Sequence, residues 1–261
     1  MSGDVLQEAF NATVSRDYEK AVTVIRKVLS TSSHSFSVDQ LELIDHVYSC
    51  ILNTSHYDES LIEVCWEWIE AIERTPRTVD TRAISSSQLS IYYAYHTICR
   101  VQERMPRKPT HNQIRQETWS RITDSFSYLW AAATQLWKHY ELDRLDILCS
   151  WSYLCVQYAD VVSEEVLAVI ETSKDNARGV LASVIVIENS HQANQRLLTV
   201  ERNVKDARVL AEKLGRRFVG IEDSQRSHPN IVNPPISEDT SGDDSPPMTK
   251  KWCAADGRNA N

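Results

Sequence analysis

No glycine lies between Asp4 and Arg178. Tight hairpin turns and phosphate-cradling loops both need backbone that only glycine adopts cheaply. The gap therefore excludes a dinucleotide or nucleotide loop over that stretch and disfavours a sheet-rich fold. What the stretch does carry is helical periodicity. Leu6, Ala9, Phe10 and Val14 make one apolar stripe, and Tyr18, Ala21, Val22, Ile25 and Val28 make a second. Ser37-Val-Asp-Gln40 reads as a capping box that opens a third helix, with Leu41, Ile44, Val47, Tyr48 and Ile51 on one face. Leu61, Val64, Cys65, Trp68 and Ile72 give a fourth, which stops before Pro76.

Ser85-Ser-Ser-Gln88 reads as another capping box, opening a tyrosine-rich fifth helix from Leu89 to Val101. After Pro106 and Pro109, Thr110 and Gln113 start a sixth helix through Trp119, Ile122, Phe126, Trp130 and Leu136. A seventh holds Leu145, Leu148, Trp151, Leu154 and Tyr158. Ser163 caps an eighth, whose first-turn acids Glu164 and Glu165 suit the helix dipole. Leu181–Ile187 is either the end of that helix or a separate segment. A ninth runs from about Gln192 to about Leu214, with Gly215 as its stop. Nine amphipathic helices with short connections predict an all-α fold of antiparallel neighbours. No motif recurs at a fixed repeat period.

The composition shifts at Ser224. Pro229, Pro234, Pro235, Pro246 and Pro247 sit among Ser, Asp, Glu and Gly, too polar to bury a core. The predicted division is a helical domain over 1–223 and a disordered acidic tail over 224–261, with Ser245-Pro246 as a candidate phosphosite. A net charge of −8 argues against nucleic acid as partner. No apolar run reaches the length of a membrane span, and no signal core opens the chain, so a cytoplasmic protein is expected. Five of the six cysteines fall in apolar stripes and read as small buried hydrophobes. No HExxH, CxxC or GxSxG is present, and no nucleophile, base and orienting group assemble. No catalysis, cofactor or metal is therefore expected.

The order of these segments resembles the 14-3-3 family. Three stretches carry the resemblance: Arg16-Asp-Tyr-Glu-Lys-Ala21 with the serine-capped helix ending Val47-Tyr48; Asp143-Arg144-Leu145 through Tyr158 to Ser163-Glu164-Glu165; and Glu188-Asn-Ser190 leading to Leu197-Leu198 and Glu201-Arg202-Asn203. The likeness spans about Leu6 to Leu214 and implies a highly divergent member with a concave bundle of nine antiparallel helices, also comparable to a tetratricopeptide array. It implies a groove that binds phosphoserine or phosphothreonine segments of partner proteins, and a homodimer through the N-terminal helices. The segment from Tyr48 to Ser87, which carries part of the dimer contact in the family, is shorter here.

The resemblance also assigns positions. Arg100 stands where the family has its fifth-helix arginine, beside Val101 in place of a tyrosine. Ser49 occupies the lysine position of the third helix, and His56 the arginine position. Ser150 replaces the seventh-helix asparagine. Asn203 matches the last-helix asparagine after a one-residue shift, Val204 without it. One guanidinium thus remains where three basic groups are usual. Losing two charge-assisted contacts at roughly 1.5–3 kcal/mol each weakens phosphate binding a hundredfold or more, unless Lys20, Arg26, Lys27 or Arg104 substitutes. Two readings stay open: a phosphopeptide adaptor, or a helical scaffold with a degenerate phosphate site that binds unphosphorylated partners or its own tail.

Overall fold

The computed structural model describes residues 2–31, 37–54, 59–73, 81–105, 110–183 and 189–215. His56, the prolines at 106 and 109, and the tail over 224–261 lie outside the described residues. Among those residues the chain forms nine helices and no strand: α1 (Ser2–Val14), α2 (Tyr18–Thr31), α3 (Val38–Thr54), α4 (Ser60–Glu73), α5 (Thr81–Arg104), α6 (His111–Leu136), α7 (Leu142–Gln157), α8 (Glu164–Ser183) and α9 (Ser190–Lys213). All belong to one compact unit, Met1–Phe218. The all-α expectation is met.

Local signals account for several helix ends. The α3 capping box is complete: Ser37 Oγ accepts from the Gln40 backbone N–H at 3.3 Å, and Gln40 Oε1 accepts from the Ser37 N–H at 2.9 Å. Ser163 Oγ accepts from the Val166 N–H and starts α8. Gly215, at φ +81°, closes α9 by donating its N–H to the Glu212 carbonyl. Two expectations need correction. α5 begins at Thr81, so Ser85–Gln88 lie inside the helix and do not cap it. Their side chains instead bond other helices: Ser85 to Asp143, Ser86 to Asp45, and Gln88 to Ser150. Thr110 does precede α6, but its side chain makes no capping hydrogen bond.

Successive helices pack antiparallel. α5 and α6 meet through Tyr95–Ser125 and Gln102–Thr118; α6 and α7 through Phe126–Trp151 and Trp119–Tyr158. α5 and α7 consequently run parallel, with Ser85 beside Asp143, Tyr92 beside Tyr153, and Gln102 beside Tyr158. α7 and α9 repeat that geometry through Asp146–Arg196 and Ser152–Asn203. The odd-numbered helices make an unbroken series of contacts from α1 through α3, α5 and α7 to α9, whereas α6 and α8 barely touch. The unit is thus drawn together on its odd-numbered side.

The core fills the space between the two rows. Tyr48 stacks on Trp68 at 5.1 Å between ring centroids, and Leu41, Ile44, Ile51, Ile69, Ile98, Phe126 and Leu154 are buried around and beyond that pair. Cys65, Cys99 and Cys155 are buried as expected, and burial pushes the Cys65 thiol up to about 12 and the Cys99 thiol to about 11. Cys50 and Cys149 are only half-buried. Val14, expected on the core stripe of α1, is 67% exposed because α1 ends there, before Arg16 turns the chain at φ 60°.

Two polar clusters tie the helices across the core. Arg115 of α6 donates from Nε and Nη2 to both carboxylate oxygens of Asp160 at 2.6 Å, donates again to the Gln157 carbonyl, and lies 4.5 Å over the Tyr158 ring. Asp45 of α3 accepts from Trp68 Nε1 at 2.8 Å and from Ser86 Oγ at 3.0 Å, joining α3, α4 and α5.

Candidate functional site

The sides of α5 are assigned by its contacts. Ser86 reaches α3, Tyr95 and Gln102 reach α6, and Gln88, Tyr92 and Cys99 reach α7. What remains is the strip between α3 and α7. It carries Leu89, Tyr93, His96 and Arg100 at i, i+4, i+7 and i+11, one face of a helix. Leu89 and Tyr93 are each 38% exposed. Tyr92, Tyr93, His96 and, across on α7, Tyr153 form a chain of rings whose centroids lie 5.4–6.0 Å apart. This odd-numbered face is aromatic, with a guanidinium one helical turn beyond the ring cluster.

Arg100 is exposed and pairs with Glu103 at 3.2 Å. Both side chains are well solvated, so the i, i+3 pair is worth a few tenths of a kcal/mol and yields to a better anion. Val101, its neighbour, is buried in the core. Ser49 is half-buried on α3. Ser150 is half-buried at the α5–α7 seam and accepts from Gln88 Nε2. Asn203 is buried, and its amide donates to Ser152 Oγ at 3.1 Å within the α7–α9 seam. The structure therefore sets Arg100 on the open strip and engages Ser150 and Asn203 in packing between helices. His56 lies outside the described residues. Of the substitute cations, Lys20 pairs with Glu8, and Arg26 with Glu67 and Glu63; Arg104 falls in the last turn of α5.

The α7–α9 end of this side is held by Arg196, which donates from Nε and Nη2 to the two oxygens of Asp146. Burial raises the Asp146 carboxyl above its ordinary value, and Arg196 opposes that rise. Cys149, on the same side of α7, donates to the Arg196 carbonyl. Sequence reasoning noted the tyrosine richness of α5 but did not pick out the ring cluster. The i, i+4 spacing of Tyr92 and His96 was its only local signal; Tyr153 comes from another helix. No protein-family model matches this chain, and no curated protein matches it.

The Asn203 amide has a direct test. Asn203→Ala removes one buried hydrogen bond and leaves Ser152 without that donor, so it is expected to lower stability by about 1–2 kcal/mol. Denaturant unfolding of the variant beside the unsubstituted protein checks this.

Proposed function

We propose that this protein is a divergent 14-3-3-like adaptor whose odd-numbered face binds extended segments of partner proteins. The observation that carries this reading is the exposed strip of α5, where Leu89, Tyr93 and Arg100 share one face. The rings offer apolar surface and hydroxyl groups to an extended backbone, and Arg100 offers a forked pair of donors suited to a phosphoserine or phosphothreonine. The Glu103 partner is solvated and readily exchanged for a dianion.

A second reading is favoured by one specific observation. Asn203 spends its amide on Ser152 rather than on a ligand. With that group withdrawn, a scaffold that takes unphosphorylated segments through the ring cluster needs no phosphate. A fluorescence-anisotropy titration separates the two. A degenerate phosphoserine peptide pool should bind at least fivefold more tightly than its unphosphorylated twin, and Arg100→Ala should erase the difference. Equal affinity for both pools, weakened by Tyr93→Ala and indifferent to Arg100→Ala, selects the scaffold. Absence of binding to either pool sinks both.

A further inference from the structure

α9 has a third side, away from the odd-numbered strip. Arg196 and Asn203 turn toward α7, while Glu201 pairs with Arg178 and Arg208 pairs with Glu164 and Glu171 of α8. Opposite these contacts runs a stripe of Leu198, Arg202, Lys205, Val209 and Lys213, all exposed and spaced at helical intervals. Leu198 is 60% exposed although it is a leucine in a well-packed helix, and Leu214 at the helix end is 59% exposed. Among the described residues no carboxylate pairs with Arg202, Lys205 or Lys213. In a chain of net charge −8 this stripe is locally basic. Asp206 and Glu212 border it on either side.

We propose that this stripe is a docking surface for an acidic amphipathic helix of a partner protein. Charge complementarity names the occupant. A helix carrying two acids between two apolar residues, at i, i+4, i+7 and i+11, would set its acids against Arg202 and Lys205 and its apolar groups against Leu198 and Val209. The bordering acids repel an occupant that is broad and anionic, so a membrane of acidic lipids fits less well than a single narrow helix. This surface is separate from the α5 strip, so the inference stands or falls independently of the peptide reading.

The test uses the full chain and a designed helical peptide of 18 residues bearing Leu and Glu at those spacings. Its controls are a scrambled peptide and a Lys-for-Glu twin. Binding by fluorescence anisotropy is expected in the range of roughly tens of micromolar, as for a small interface, and should weaken as salt rises. Arg202→Glu with Lys205→Glu should weaken it about tenfold or more, Leu198→Ser severalfold, and Arg100→Ala not at all. All the substituted positions are exposed, and circular dichroism confirms that each variant stays folded. Binding unaffected by the charge reversal, equal binding of the scrambled peptide, or no binding overturns the proposal. So does concentration-dependent self-association of the protein that the charge reversal abolishes, which assigns the stripe to a second copy. Capture on phosphatidylserine vesicles, lost in the same variant, would assign it to a lipid surface instead.

Discussion

Asp160→Ala is expected to lower stability by about 3–4 kcal/mol, the largest effect of any single side-chain truncation outside the apolar core. The reason lies in its partner. The Arg115 side chain is only 7% exposed, and the Asp160 side chain is 29% exposed. Removing the carboxylate leaves a guanidinium enclosed by protein with the Gln157 carbonyl, the Cys99 sulfur and the Tyr158 ring as its remaining company. Removing Arg115 instead leaves a carboxylate that water can still reach, so Arg115→Ala should cost less than Asp160→Ala. A shift in the thermal midpoint of roughly 6–15 °C follows for Asp160→Ala in a domain of this size. The control is the double replacement Arg115→Met with Asp160→Leu, which removes both charges together and should recover most of the loss. If the double variant is as unstable as Asp160→Ala, the lost ion pair itself, rather than an abandoned charge, sets the cost.

Asp45→Asn is expected to do the opposite and stabilise the protein at neutral pH. Burial lifts the Asp45 carboxyl to about 6, against hydrogen bonds from Ser90, Trp68 and Ser86 that pull it down, with Glu42 adding to the rise. The folded state therefore holds this proton more tightly than the unfolded chain does. The stability it contributes is fully present below about pH 4 and is lost as pH rises through 6. The lifted carboxyl corresponds to about 3 kcal/mol between those limits. An asparagine keeps an acceptor for Trp68 Nε1 and carries no charge to bury, so the variant should exceed wild type by about 1–3 kcal/mol at pH 7.5. That margin should close as pH falls from 6 to 4. Thermal midpoints of both proteins across this range, taken as their difference, check it. A difference that is constant with pH, or negative throughout, would mean that the three donors outweigh burial at this site.

The helices were legible in the sequence because their signals are local. A serine and a glutamine three apart, a glycine after the last apolar residue, and a leucine or tryptophan every three or four positions each act within one turn. The Ser37–Gln40 box and the Gly215 stop were readable for that reason. Ser85–Gln88 has the same local form as Ser37–Gln40 but sits one turn inside α5, because Asp143, Asp45 and Ser150 on other helices supply its partners. Such partners lie from 41 to 62 residues away in the chain, beyond what spacing can reveal. The candidate site divides along the same line. Arg100 could be placed on an exposed face from its helix alone, whereas the engagement of Asn203 with Ser152 depends on how two residues 51 apart in sequence, on different helices, are brought together.

The odd-numbered row has a consequence for how the chain is made. Each helix touches mainly those one or two places away along the chain. No segment must wait for a distant one, and the closure entropy of each new contact stays small. α1, α2 and α3 can dock as soon as they have left the ribosome, and each later pair finds its neighbour already waiting. Among the nine helices the most extensive seam, α7 with α9, is the last to be assembled. The final helix to emerge thus fastens the end of the row that carries the basic stripe.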